Sequence, residues 1–161
     1  METVAASVIV FYSKDGNTKA GAAMLSEHIG APCVELKEVK KGNFIQALFK
    51  KSTHLIGNPW AEIEMYQRIY LMFPIWASNG VPAMNAFLEK AELKDKEVVI
   101  ITFQQFEDLR NSDKVHQYVS DLVINNEGKV IDKFALIGGK MNQFAGKDAI
   151  SNEISKVFER R

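Results

Sequence analysis

Short runs of apolar, largely β-branched residues recur along this chain, and each is followed by a stretch with helical periodicity. The longest apolar runs cover 4–12 (VAASVIVFY), 68–73 (RIYLMF) and 97–103 (EVVIITF). A strand that is apolar on both sides is buried on both faces, as in parallel sheets covered by helices. Two further strands are predicted at 33–36 and 130–137, and helices at 19–29, 44–49, 82–91, 115–123 and 150–158. The alternation predicts a three-layer, doubly wound α/β fold with a five-stranded parallel sheet.

Four local features add detail to this outline. Pro82 suits the first turn of its helix, and Ser112 is the expected N-cap of the helix that follows the fourth strand. Cys33 lies in a strand and is expected to be a small buried hydrophobe. The segment 52–66 has no clear periodicity; it contains Trp60, which we expect to be exposed and available to a dimer or a partner surface.

Composition narrows the classes of function. A chain of 161 residues with 47% apolar residues is expected to form one domain, 1–161. No apolar run approaches the roughly 20 residues of a membrane-spanning helix, and the N-terminus lacks a basic signal-peptide region. One cysteine favours a reducing cytoplasm, and the balance of 20 basic against 20 acidic residues argues against nucleic-acid binding. The three histidines have no metal-ligand spacing, so no metal site is predicted. We expect a monomer or a homodimer.

Parallel α/β sheets bind ligands at the carboxyl ends of their strands, which directs attention to three loops. The first is 13–18 (SKDGNT), where two hydroxyl residues, a glycine and the start of a helix predict a phosphate cradle. An ordinary capped turn is the alternative interpretation. The loop contains neither a Walker A motif nor G-x-G-x-x-G.

The second and third loops carry aromatic and amide side chains. The second, 74–82 (PIWASNGVP), places Trp76 at the mouth of the sheet, where its ring suits stacking on a flat heterocycle. The third begins at Phe103 and continues with Gln104, Gln105 and Phe106, which offer a second aromatic wall and hydrogen-bonding amides. Packing of these aromatic residues into the core is the alternative for both loops.

Taken together, these motifs resemble the flavodoxin-like proteins. The resemblance is carried by 12–18 (YSKDGNT), 70–88 (YLMFPIWASNGVPAMNAFL) and 96–103 (KEVVIITF). It implies the strand order 2-1-3-4-5 and a bound FMN, with the first loop around the phosphate and the other two beside the ring. The implied cofactor-binding residues are Ser13, Lys14, Asp15, Gly16, Asn17, Thr18, Pro74, Ile75, Trp76, Ala77, Ser78, Asn79, Gly80, Phe103, Gln104, Gln105 and Phe106. No catalytic acid or base is required, because FMN supplies the redox chemistry.

The chain departs from that family in three informative ways. The Phe-Gln-Gln-Phe sequence at 103–106 is not a close match to the small residues or Tyr that are common in the loop after the fourth strand. Asp15 stands where a hydroxyl residue is common, and electron-carrying flavodoxins are usually acidic whereas this chain is neutral. Three functions remain open: an electron carrier between partner proteins, a small NAD(P)H-dependent flavin or quinone reductase, and a binding domain that has lost flavin. If FMN binds, Glu107 and Asp108 are expected to lower its potential. Lys37, Lys40, Lys41, Lys50 and Lys51 are interpreted as a solvated rim, with an acidic partner or an anionic cofactor's phosphate as the alternative.

Overall fold

Five parallel strands form one sheet in the computed structural model, which describes residues 6–76, 79–105, 109–140 and 142–160. The strands are β1 (Ser7–Phe11), β2 (Cys33–Glu35), β3 (Arg68–Pro74), β4 (Glu97–Gln104) and β5 (Lys129–Ile137). The helices are α1 (Asn17–Ile29), α2 (Phe44–Leu48), α3 (Pro59–Glu62), α4 (Pro82–Lys90), α5 (Leu109–Asn125) and α6 (Lys147–Glu159). The strand order is β2-β1-β3-β4-β5, which confirms the predicted topology.

Burial on both faces explains why the central strands are apolar at consecutive positions. In β1, Val8 and Val10 face one core while Ile9 and Phe11 face the other. The first core is covered by α4 and α5, and the second by α1 and α6. Successive side chains of a strand point to opposite faces, and both faces of β1 are covered by a core. A polar side chain on either face would therefore be buried, so β1 is apolar at consecutive positions.

The strand order places a crevice where the chain reverses direction across the sheet. From β1 the chain passes to β2 on one side, and β3 then pairs with β1 on the other side. Connections that leave in opposite directions open a crevice at the carboxyl ends of β1 and β3. The first two predicted loops follow these strands directly.

Two local predictions were wrong. Ser112 does not cap a helix, because α5 already includes Leu109 and Ser112 is fully buried within it. Cys33 is exposed rather than buried, because β2 is an edge strand and only its middle residue, Val34, turns into the core.

Trp60 is also not the free surface aromatic that was expected. Asn58 accepts a hydrogen bond from the Ala61 amide and Pro59 occupies the first turn, so this segment forms the short helix α3. The Trp60 ring stacks on Phe87 with centroids 6.4 Å apart, and its indole N–H donates to the Phe87 carbonyl at 2.8 Å. The ring therefore packs against α4.

In the ranges that the structure describes, none of the helices has the length and apolar character needed to cross a membrane.

Candidate functional site

The three predicted loops meet in one cleft at the carboxyl ends of the strands. A cavity of about 80 Å³ lies between them. Its lining consists of Lys14, Asp15, Asn17, Pro74, Ile75, Trp76, Phe103, Gln104, Gln105, Gly138, Gly139 and Lys140. Nine of the predicted binding residues are in this set. The structure therefore brings together loops that are separated by up to ninety residues in the sequence.

The first loop leads into α1 through a glycine that no other residue could replace without strain. Gly16 has φ +95°, in the left-handed region, and its amide donates to Ser13 Oγ at 3.2 Å. Among the described residues no side chain caps α1, and the first turn of this helix contains no acidic residue. The backbone N–H groups of this turn and the positive end of the helix dipole are thus suited to an anion.

Asn17 fastens this loop to the loop that follows β5. Its side-chain oxygen accepts from the Ala145 amide at 2.8 Å, and its side-chain nitrogen donates to the Gln143 carbonyl at 2.9 Å. A Cβ on Gly16 would lie 3.7 Å from the Phe144 ring. The loop after β5 therefore lies against the predicted phosphate loop.

The second loop holds Trp76 in a largely enclosed position. Trp76 and Asn79 exchange backbone hydrogen bonds of 2.9 and 2.7 Å, which close a tight turn. The indole is 5% exposed; Tyr12 meets it edge-on at 5.8 Å, and Lys14 Nζ lies 5.4 Å from the ring centroid. Burial, and then the charge of Glu38, raise the pKa of Tyr12, so its hydroxyl stays protonated. Ala77 and Ser78 lie outside the described residues.

From the third loop, Phe103, Gln104 and Gln105 line the cavity. Phe103 is buried against α1, where a Cβ on Gly21 would approach its ring to 2.7 Å. Gln104 is also buried, whereas Gln105 is exposed at the cavity. Phe106, Glu107 and Asp108 lie outside the described residues.

A fourth loop, which was not predicted from the sequence, also lines the cavity. Gly138, Gly139 and Lys140 follow β5 directly, and the Gly138 amide donates to the Gln104 carbonyl at 2.8 Å. A Cβ on Gly139 would lie 2.2 Å from the Gln143 carbonyl oxygen, so only glycine fits there. The signal was the pair of glycines at the end of a predicted strand, which marks close backbone approach.

A larger cavity, about 790 Å³, lies at the opposite end of the sheet. Its lining includes the first residues of β1 and β3 and two arginines, each paired with an acid: Arg68 with Glu97 at 3.3 Å and Arg160 with Asp132 at 2.9 Å. Parallel α/β sheets bind their ligands at the carboxyl ends, where helix N-termini also converge. We therefore assign the candidate site to the smaller cavity.

Comparison with solved structures agrees with this topology. A candidate flavoprotein from Bacteroides uniformis superposes with a TM-score of 0.67 at 18% identity, over 95% of this chain and 99% of that one. A flavodoxin, WrbA-like protein from Agrobacterium tumefaciens gives 0.64 at 14% identity, over 98% and 100%. A flavoprotein from Lactobacillus acidophilus in complex with FMN gives 0.64 at 16% identity, over 82% and 93%. No family model and no curated protein sequence matches the chain.

These likenesses show that the chain has the flavodoxin-like fold, as the sequence predicted. The identities are too low to carry residue roles from one protein to another. What the site holds is therefore argued from its own side chains and backbone.

Proposed function

We propose that this protein binds FMN in the cleft and carries electrons between partner proteins. The observation that carries the proposal is the start of α1, where Gly16 leaves the first-turn N–H groups without a side-chain cap. The hydroxyl of Ser13 lies in the loop before α1, whereas Thr18 is buried in the first turn of that helix. A phosphate there would receive backbone hydrogen bonds and the favourable end of the helix dipole. A structural neighbour from Lactobacillus acidophilus that carries FMN supports the same choice of cofactor.

The other end of the cleft has the chemistry for a flat heterocycle. Trp76 supplies an aromatic face, and Gln104 and Gln105 supply amides for ring nitrogens and carbonyls. The cavity of 80 Å³ is smaller than a typical ligand pocket of about 300 Å³ or more, so ring binding requires Lys14 to leave the face of Trp76. FMN supplies one- and two-electron redox chemistry when bound.

A carrier and a reductase differ in what each must place beside the flavin ring. An NAD(P)H-dependent flavin or quinone reductase must place a second organic substrate beside the flavin ring, which needs additional cavity volume. A protein partner can instead dock outside the cleft and exchange electrons at the exposed edge of the ring. The two functions are separated by the rate of NAD(P)H oxidation, which is fast in a reductase and slow in a carrier.

The first test is the visible absorption spectrum of the purified protein, before and after FMN addition and desalting. We expect a retained flavin spectrum, and quenching of FMN fluorescence on titration with apoprotein. Gly16→Ala should weaken FMN binding at least about tenfold, because the left-handed N-cap that orients the amides is lost.

Gly30→Ala is the matched control for that variant. Gly30 ends the same helix with φ +68°, and nothing lies within 4 Å of a Cβ placed there. Both variants should lose about 1 kcal/mol of stability from backbone strain, but Gly30→Ala should keep full FMN affinity.

A protein that takes up no FMN refutes the proposal and leaves the flavin-free binding domain as the better description. Rapid NAD(P)H oxidation by the FMN-loaded protein would establish the reductase instead.

A further inference from the structure

One stretch of the chain, residues 37–56, differs in charge from the rest of the molecule. It contains five lysines and a single acid, Glu38, which gives it a net charge of +4. The remaining residues carry fifteen basic and nineteen acidic side chains, a net charge of −4. We call residues 37–56 the lysine-rich segment. All five of its lysines are exposed: Lys37, Lys40, Lys41, Lys50 and Lys51.

The acid of this segment faces inward. The Glu38 carboxylate accepts hydrogen bonds from the Gly42 amide at 3.1 Å and from the Thr53 hydroxyl, and its side chain is only partly exposed. The lysine side chains are therefore exposed to solvent, whereas the Glu38 carboxylate is turned toward the protein. The outer surface of the lysine-rich segment is basic even though the protein as a whole is neutral.

Large apolar side chains are exposed among these lysines. The Val39 amide donates to the His54 carbonyl and the Ile56 amide to the Lys37 carbonyl, so these two short stretches run antiparallel. In such a pairing the alternate residues Lys37, Val39, His54 and Ile56 share one face, and all four are exposed. Val39 is 70% exposed. This face is turned away from both cores that the described residues form.

Helix α2 presents a second apolar surface in the same segment. Ile45, Leu48 and Phe49 lie at i, i+3 and i+4, which places them on one side of the helix. Ile45 is 69% exposed and Phe49 is 66% exposed, while Ala47 on the other side is fully buried. Apolar residues grouped in this way mark an interaction site more often than scattered ones do.

The lysine-rich segment is fixed in place next to the candidate cleft. The side-chain amide of Asn79, in the turn that holds Trp76, donates to the Leu48 carbonyl at 3.4 Å. Asn85 in α4 donates to the Lys51 carbonyl at 2.9 Å. A molecule seated on this segment would therefore lie beside the loop that follows β3.

We propose that the lysine-rich segment is the docking surface for an acidic electron-transfer protein. Its lysines attract an acidic surface over about one Debye length, and salt weakens this attraction. Its exposed apolar residues contribute hydrophobic contacts, which do not weaken at higher salt. The position beside the Trp76 turn brings such a partner to the cleft. The electron exchange rests on the proposed function, whereas docking does not require it.

Two other occupants fit the same surface less well. A second copy related by a two-fold axis would bring two segments of net charge +4 together, which is repulsive. Helices that lie on membranes are long and strongly amphipathic, whereas α2 has five residues and the apolar side chains are divided between a helix and an antiparallel pair. An acidic protein matches both the charge and the divided apolar surface.

The probe is an acidic [2Fe–2S] ferredoxin, with binding measured by isothermal titration calorimetry at 20 and 200 mM NaCl. Lys40→Glu combined with Lys41→Glu should weaken binding at least about tenfold at 20 mM and reduce the salt dependence. Lys94→Glu combined with Lys129→Glu makes the same charge change at exposed positions near the amino ends of the strands and should change binding by less than about twofold. Ile45→Ser combined with Phe49→Ser should weaken binding about tenfold at both salt concentrations.

Three results would overturn the proposal. The first is no binding of the ferredoxin at 20 mM NaCl, or equal weakening by the two lysine pairs. The second is binding of the chain to phosphatidylserine-containing vesicles at 200 mM NaCl, lost in the Lys40/Lys41 variant, without ferredoxin binding. The third is a dimer in sedimentation that Ile45→Ser with Phe49→Ser dissociates. FMN titration of the same variants separates the two proposals. Ferredoxin binding without FMN uptake refutes only the proposed FMN-dependent function. FMN uptake without ferredoxin binding refutes only the proposed docking surface.

Discussion

His116 makes the stability of this protein depend on pH in a way that can be calculated. The imidazole is 5% exposed, and its Nε2 lies 2.8 Å from the hydroxyl of Thr102 in β4. Burial lowers the pKa of His116 to about 4; the charge of Lys133 acts in the same direction, and Asp113 opposes it. The ring is therefore neutral in the folded protein near neutral pH.

The size of the effect follows from the two pKa values. The unfolded chain binds this proton with a pKa near 6.5 and the folded chain with a pKa near 4, so the unfolded state holds more protons between these values. Stability therefore falls as the pH drops from 6.5 to about 4. The full loss is about 3 kcal/mol, and about 2 kcal/mol of it is reached at pH 5.

His116→Gln is the variant that isolates this contribution. Its amide nitrogen can keep the hydrogen bond to Thr102 but does not titrate. Urea unfolding at pH 7 and pH 5 should show the wild-type protein losing about 2 kcal/mol more than the variant. The other titrating groups are common to both proteins and cancel in the comparison. Equal losses, within about 0.5 kcal/mol, would show that the buried imidazole is not the cause.

Two further substitutions test the packing around the site. Gly21→Ala should destabilise the protein by about 1 kcal/mol in thermal or urea unfolding, because its methyl group meets the buried Phe103 ring at 2.7 Å; a gain in stability, as helix propensity alone predicts, would contradict this. Trp60→Phe should cost about 1–2 kcal/mol in the same assay, because the Phe87 carbonyl loses its 2.8 Å hydrogen bond while the ring stacking is kept. An unchanged unfolding midpoint for Trp60→Phe would mean that a water molecule donates to the Phe87 carbonyl in place of the indole N–H.

The fold was predictable because its strands carry a strong signal. Strands β1, β3 and β4 are buried on both faces, so their apolar residues are consecutive and easy to recognise. The start of α5 was predicted too late, because serine commonly caps helices and Ser112 was the expected N-cap. In the structure Ser112 is buried inside that helix. The exposed position of Cys33 depends on β2 being an edge strand, which local sequence does not reveal.

The site was predicted only in part. Loops 13–18 and 74–80 follow strands whose ends were clear, and residues of both lie at the cleft as expected. The contribution of Gly138 and Lys140 was missed, because the strand order alone does not show how far the loop after β5 extends toward α1. Helix α3 was missed although Asn58 and Pro59, a capping residue and a first-turn proline, were visible in the sequence.

The two hydrogen bonds of Asn17 have a consequence for biosynthesis. Its partners, Gln143 and Ala145, lie 126 and 128 residues further along the chain. During translation the first loop leaves the ribosome long before the segment that fastens it, and domains of this kind complete their long-range contacts late. A nascent chain that ends before residue 143 lacks both bonds, however well β1 and α1 have formed. The end of the cleft formed by loop 13–18 is therefore among the last parts of this protein to mature.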